Sequence, residues 1–386
     1  MAEVRPICRV EDARLVPEGG PAQLVLTQLE RASEIADKVA AARGVGRADG
    51  DRLEVMAVPS RLIDAAGRVG GAELAGPLRE VVDAAVAAWL GGAPDLVTPA
   101  GMLPTGSRPV VLGILNVTPD SFSDGGTAYD PSDHPGAAIR AGLALLAAGA
   151  DAVDVGGEST RPGADPVPAD EELRRVLPVV EALAAEGAIV AIDTVKAEVA
   201  RAAVEAGASI VNDVSAGSLD ERMHPTVVDL RVPYVLTHMR GEPRTMQEHA
   251  SYEDVVREVF DQLAGGIRDL TAAGLPPERI VVDPGLGFAK DARHNLALLQ
   301  AVRDLTSLGR PVMIGASRKS FIGTVTGSDD PTDRLEGSLA VAATAVAAGV
   351  RIVRAHDVAA TARAVRVAHA IAAGELPDGP VPTGRQ

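Results

Sequence analysis

The stretch Gly113-Ile114-Leu115-Asn116-Val117-Thr118-Pro119-Asp120-Ser121-Phe122-Ser123-Asp124-Gly125-Gly126 decides how the chain is read. The apolar run Val110–Leu115 stops at an amide side chain, Asn116, and gives way to a loop of Pro119, short polar residues and a double glycine. A continuous apolar run of this length reads as a strand buried on both faces. Delivering a polar group from its carboxyl end into a long loop is how α/β proteins build their sites. One such feature is also the mark of an ordinary strand and turn, but here the pattern recurs at every later apolar run.

From Pro109 onward the strand candidates are Val110–Leu115, Asp151–Val155, Ala188–Ile192, Ser209–Val211, Pro233–Leu236, Ile280–Val282, Pro311–Ile314 and Val350–Val353. Helix candidates alternate with them near Gly136–Ala148, Glu171–Ala185, Ala197–Ala206, His224–Leu230, Tyr252–Ala273, Ala292–Leu308, Leu335–Ala348 and Val358–Ala373. Eight βα units in roughly 260 residues predict an α/β fold, a (β/α)8 TIM barrel over residues 109–375. An open doubly wound sheet is the rival, and it would place its site at one switch point.

The groups that follow each strand favour the barrel. Strand one ends at Asn116, and strand two carries Asp154 into Gly156-Gly157-Glu158-Ser159-Thr160-Arg161-Pro162-Gly163. Strands three to five reach Asp193-Thr194, Asn212-Asp213-Val214 and Thr237-His238-Met239. Strands six to eight reach Asp283-Pro284-Gly285-Leu286-Gly287-Phe288, Ala316-Ser317-Arg318-Lys319-Ser320 and Arg354-Ala355-His356-Asp357. In a barrel these groups converge on one rim, whereas an open sheet would string them along an edge.

Residues 1–108 carry no chemical motif and predict a small α/β extension of unknown role. Gln23–Arg43 has helical spacing with Gly44 as a stop, Arg52–Val58 reads as a short strand, and Leu74–Leu90 reads as a helix closed by Gly91-Gly92. Gly91–Arg108, rich in Gly, Pro and Thr, reads as a linker, and residues 376–386 as a tail.

The composition narrows the function classes. With 386 residues and 46% hydrophobic content the chain has enough apolar material for a large core. A net charge of −16, from 37 basic against 53 acidic residues, argues against nonspecific nucleic-acid binding. An anionic substrate therefore needs a local basic cluster. The single Cys8 excludes an internal disulfide, and there is no apolar leader or long apolar run, so a cytoplasmic enzyme with no membrane contact is expected. Of only four phenylalanines, Phe122, Phe288 and Phe321 fall in the strand-end loops, as flat surfaces kept for a flat ligand would.

The rim separates by charge. Asp154, Asp193 and Asp283 are carboxylates and Asn116 and Asn212 amides, while Arg161, Lys319, Arg354 and His356 are cationic or can become so. Acid and amide groups suit an amino-substituted heterocycle, and a neighbouring ammonium suits its carbonyl. Arg, His and an amide suit a phosphate or diphosphate. The loops Val117–Pro135 and Gly156–Asp170 exceed usual βα lengths, as a closing lid would.

The strings LNVTPDSFSDGG, DVGGESTRPG, IDT, NDVS, HMRGEPRTMQ, DPGLGF, SRKSFIG and RAHDV, in this order, resemble the dihydropteroate synthases of folate biosynthesis over about residues 109–375. The departures are Thr237, where an apolar residue is common before His-Met, and Ala355, where Val is usual. The resemblance implies condensation of 7,8-dihydropterin-6-ylmethyl diphosphate with 4-aminobenzoate to 7,8-dihydropteroate and diphosphate, with Mg²⁺ near Asn116 and a homodimer as the assembly. It implies that Asp154, Asp193, Asn212, Asp283 and Lys319 hold the pterin between Val214 and Met239. Asn116, Arg354 and His356 would then hold the diphosphate, and Phe122, Thr160, Arg161, Pro162, Phe288 and Ser320 the aminobenzoate. Asp193, Asp283, Lys319, Arg354 and His356 would carry catalysis. Two alternatives share the fold: a pterin-binding methyltransferase, which would need neither the TRPG loop nor the SRKSF and RAHD cluster, and a non-catalytic paralogue.

Overall fold

A computed structural model of the chain describes residues 93–118, 135–159 and 166–376 in full, and ahead of them the backbone of four strands: β1 (Arg9–Arg14), β2 (Ala22–Thr27), β3 (Val45–Asp49) and β4 (Arg52–Ala57). The chain divides into two units, Met1–Pro94 with Gln300–Pro311, and Asp95–Leu299 with Val312–Gln386.

In the first unit, β1–β4 pair antiparallel in the order β1-β2-β4-β3. The strand expected from Arg52 is β4. The helix expected from Gln23 does not begin there, because Ala22–Thr27 is a strand paired along its length with β4. Its Leu24 and Leu26 alternate, and Val25 and Thr27 are β-branched, so this short run satisfies period two as well as the helical period. The rest of that predicted helix and the whole of Leu74–Leu90 lie outside the described residues.

The second unit begins with a hairpin, β5 (Leu96–Thr98) and β6 (Gly101–Leu103), inside the stretch read as a linker. Eight parallel strands follow: β7 (Val110–Asn116), β8 (Ala152–Gly156), β9 (Val190–Asp193), β10 (Ile210–Asp213), β11 (Tyr234–Thr237), β12 (Ile280–Asp283), β13 (Met313–Ile314) and β14 (Ile352–Ala355). Their order is β12-β11-β10-β9-β8-β7-β14-β13, and a parallel bridge between Val282 and Val312 joins the two ends. The rim groups therefore surround one cavity, as the closed barrel required.

Around the barrel the described helices are α1 (Gly136–Ala147), α2 (Ala169–Ala185), α3 (Ala197–Glu205), α4 (Met223–Leu230), α5 (Val255–Ala272), α6 (Ala292–Gln300), α7 (Ser320–Thr326), α8 (Leu335–Ala347) and α9 (Val358–Ala373). The helix expected over Ala292–Leu308 stops at Gln300 and resumes as a 3₁₀ turn, Val302–Leu308, with Ala301 at φ −99°, ψ 13° between them. α7 has no counterpart among the expected helices. It is one short piece stopped by Gly327 at φ +77°.

The pleat of the strands explains where the site sits. One apolar layer fills the lower barrel: Val110 and Leu112 from β7, then Ala152, Ala191, Ile210, Val235, Val281, Met313 and Ile352. Leu96 and Leu103 of the hairpin pack into this same cluster. Side chains two residues apart on a strand share a face. The next inward layer is therefore Ile114 on β7, Asp154, Asp193, Asn212, Thr237 and Asp283 on β8 to β12, Gly315 after β13, and Arg354 on β14. Asn116 stands one step above Ile114. An apolar lower half anchors the strands, and the upper half concentrates polar groups where core would otherwise continue.

Candidate active site

The upper layer is a hydrogen-bonded ring of charge. Arg354 Nε donates to Asp154 Oδ2 at 2.5 Å, and Arg354 Nη2 to Asp193 Oδ2 at 2.6 Å. Asn212 Nδ2 donates to the same Asp154 oxygen at 3.0 Å. Asp154, Asp193, Asn212, Thr237 and Asp283 are all buried. Arg354, expected at the diphosphate end, thus reaches into the acidic half and links two of its carboxylates.

Four atoms of this layer, Asp154 Oδ1, Asp193 Oδ1, Asn212 Oδ1 and Thr237 Oγ1, are buried without a hydrogen-bond partner among the described residues. A buried polar atom left so costs about 1–3 kcal/mol, which a fold rarely tolerates four times in one cavity without a ligand. Three of the four can only accept. They match an edge rich in N–H groups.

Burial also perturbs the charges. It raises Asp193 to about 7 against the opposing pull of Arg354. It raises Asp283, again against a cation, Lys319. It lowers Lys319 to about 8 in spite of Asp283. Burial works against the charge on Arg354 too, but Asp154 and Asp193 outweigh it and its pKa rises. Such opposed shifts inside one cavity mark a functional site.

The loop after β12 is built to close approach. Gly285 sits at φ +66°, and a Cβ there would lie 2.0 Å from the His238 carbonyl oxygen. Its N–H donates to Asp283 Oδ1 at 2.7 Å, which fixes that carboxylate. Lys290, buried, donates to the carbonyls of Gly285 and Phe288 at 3.0 and 2.9 Å and lies 2.9 Å from His238 Nδ1. Burial and then Lys290 hold His238 down to about 2, so its ring is neutral. Lys319 donates to the Leu286 carbonyl and lies 4.5 Å from the Phe288 ring centre. Lys319, expected at the pterin, and Phe288, expected at the aminobenzoate, therefore face each other. Met239, just beyond the end of β11, is buried and packs with Met246, Ala289 and Phe288, while Thr237 ends the strand in the polar layer. Val214 is buried just beyond β10.

On the next two strands round the barrel, the loops after β13 and β14 are tied together. Arg318, at φ +60°, forms a two-pronged ion pair with Asp357 at 3.0 and 2.6 Å. Ser317 Oγ lies 3.1 Å from His356 Nδ1 and accepts from the His356 N–H at 3.2 Å. These contacts join the loop that carries Lys319 to the one that carries His356, just after Arg354. Ser320 begins α7 and is exposed.

After β8, Glu158 accepts from Lys196 and from the Val167 N–H at 3.0 Å, and Lys196 also pairs with buried Glu172 at 2.6 Å. One carboxylate thereby holds both sides of the stretch that includes Thr160, Arg161 and Pro162. Those three and Phe122 lie outside the described residues. Glu158, Lys196 and Glu172 form an ion-pair cluster that the sequence reading missed, because they are brought together only by the fold.

Asn116 Oδ1 is a hard oxygen donor at the rim, next to the β8 end at Gly156. No cluster of three or more His, Cys, Asp or Glu able to hold a metal exists among the described residues. A single amide fits Mg²⁺, which takes few protein ligands and completes its shell with phosphate oxygens and water. It does not fit zinc, which needs several nitrogen or sulfur ligands.

Comparison with known proteins follows the same lines. Residues 112–356 match the family model "Pterin binding enzyme". A dihydropteroate synthase of Mycobacterium leprae is 47% identical over 263 residues, 67% of this chain and 91% of that protein. The solved dihydropteroate synthase of Xanthomonas albilineans with 4-aminobenzoic acid superposes with a TM-score of 0.67 at 46% identity, covering 72% of this chain and 98% of that one. The same enzyme in complex with 7,8-dihydropteroate gives a TM-score of 0.64 at 43% identity, with coverage of 72% and 98%. No described helix is long and apolar enough to cross a membrane.

Proposed function

This chain belongs to the dihydropteroate synthase family of pterin-binding enzymes, and from that premise we propose how its own residues divide the work. It condenses 7,8-dihydropterin-6-ylmethyl diphosphate with 4-aminobenzoate. The C–O bond to diphosphate breaks, a C–N bond to the aryl amine forms, and the amine gives up a proton. The observation that carries the reading is the ring of buried acceptors on Asp154, Asp193 and Asn212 without partners among the described residues.

Those acceptors, with Asp283 and Lys319, hold the amino-substituted edge and carbonyl of the dihydropterin, and Val214 and Met239 wall the ring. Asn116, His356 and Arg354 receive the diphosphate, Arg354 standing between the two halves through its bonds to Asp154 and Asp193. Phe122, Thr160, Arg161, Pro162, Phe288 and Ser320 shape the aminobenzoate pocket.

An arylamine is a weak nucleophile, so loosening the C–O bond early lowers the barrier. Positive charge then grows on the pterin beside Asp193 and Asp283. Negative charge grows on the leaving group beside Arg354 and His356, and preorganised opposite charges stabilise both. Mg²⁺, held by Asn116, would neutralise part of the diphosphate charge. No covalent nucleophile is needed. The enzyme acts as a cytoplasmic homodimer.

The test is the purified chain incubated with both substrates and Mg²⁺. Equimolar dihydropteroate and diphosphate are expected. Tight binding of a methyl-folate with no response to diphosphate would point to the methyltransferase alternative, and binding without any turnover to a non-catalytic paralogue.

A further inference from the structure

Thr237 is one of the two positions, with Ala355, at which this chain departs from the pattern it resembles, and it stands in the buried polar layer of the barrel. The register pairs it with Asp283 on β12, and the pleat places it one step above the core residue Val235, as Asn212 stands above Ile210 on the neighbouring strand. It is 1% exposed, and its Oγ1 has no hydrogen-bond partner among the described residues. The other branch, Cγ2, lies 3.2 Å from where a Cβ on Gly285 would sit, so the methyl packs against the β12 loop and helps fix the rotamer.

Removing the hydroxyl would relieve an unsatisfied buried group in the ligand-free protein, so the fold gives no reason to keep it. A ligand does. In the same layer Asp154, Asp193 and Asn212 present unpartnered acceptors, whereas a hydroxyl both donates and accepts. On the basis of the dihydropterin reading above, we propose that Thr237 Oγ1 hydrogen-bonds a ring heteroatom of the dihydropterin. It adds a polar contact on the strand between those of Asn212 and Asp283, where an apolar residue is common in the pattern the chain resembles. Thr237 is thus a recognition residue, which tunes this chain's selectivity among pterin substrates.

The experiment compares wild type, Thr237→Val and Thr237→Ser in the full chain, with dihydropterin diphosphate and 4-aminobenzoate varied separately and thermal unfolding measured without ligand. Thr237→Val keeps shape and loses the hydroxyl, so kcat/KM for the pterin substrate should fall about 3- to 10-fold, the range of one ordinary hydrogen bond. The aminobenzoate KM should stay unchanged, and the ligand-free melting temperature should hold or rise. Thr237→Ser should keep pterin kcat/KM within about 2-fold of wild type, on the same scale. A Thr237→Val protein that melts lower with unaltered pterin kcat/KM would show the hydroxyl to be structural and overturn the proposal. So would a Ser variant as impaired as Val. Absence of dihydropteroate formation in wild type would instead refute the family reaction on which the proposal rests.

Discussion

The opposed shifts of Asp193 and Lys319 make the pH dependence of kcat/KM for the dihydropterin substrate the sharpest numerical consequence of the site. This parameter reports the ionisations of the free enzyme. Asp193 must be a carboxylate to accept from the pterin and titrates at about 7. Lys319 must be an ammonium to meet the carbonyl and titrates at about 8. The competent form is therefore lost as pH falls through the first value and as it rises through the second. The profile should be a narrow bell centred near pH 7.5, falling about tenfold per unit on either side and reaching roughly 1–2% of its maximum at pH 5. Lys319→Arg keeps a positive charge at all working pH values. Its maximum should be lower, since the Leu286 carbonyl and the Phe288 ring are fitted to an ammonium, but its alkaline limb near 8 should vanish while the acid limb stays. A stopped assay of dihydropteroate formation from pH 5 to 10, with aminobenzoate saturating, reads both limbs. An alkaline limb that survives unshifted in Lys319→Arg would refute the assignment of Lys319.

Other perturbations separate site from scaffold. Leu103→Ala removes a hairpin side chain from the barrel floor and should cost about 2–5 kcal/mol of stability, read by chemical unfolding, with both KM values unchanged. Gly285→Ala places a methyl 2.0 Å from the His238 carbonyl at a positive φ, and should lower both the melting temperature and the pterin affinity. Arg161→Ala should raise the aminobenzoate KM about tenfold or more while changing the pterin KM little, as loss of a charged hydrogen bond does. Equal changes in both constants would remove Arg161 from the aminobenzoate pocket.

How much of this was legible in the sequence depended on run length and period. The barrel strands were visible because parallel strands buried on both faces read as unbroken apolar runs ending in Asp154, Asp193, Asn212, Asp283 and Arg354. The three-residue strands Leu96–Thr98 and Gly101–Leu103 are too short to show any period, and their Gly and Pro surroundings resemble a linker. Ala22–Thr27 fits two periods at once, and only its pairing with β4 decides. Thr237 was visible as a departure, but its weight depends on the pleat, which places it above Val235 in the polar layer. The Glu158–Lys196–Glu172 cluster joins residues far apart in the chain, and no local pattern announces it.

The central claim is that buried acids on neighbouring strands select the pterin. Asp283→Asn isolates that charge, because an amide oxygen can still accept the Gly285 N–H that the carboxylate accepts at 2.7 Å. Calorimetric titration of wild type and this variant with dihydropterin diphosphate is the direct measurement. The account predicts affinity weakened about 10- to 100-fold in the variant, as for loss of a charged hydrogen bond, with the melting temperature retained or raised. Equal affinity in the two proteins would contradict it.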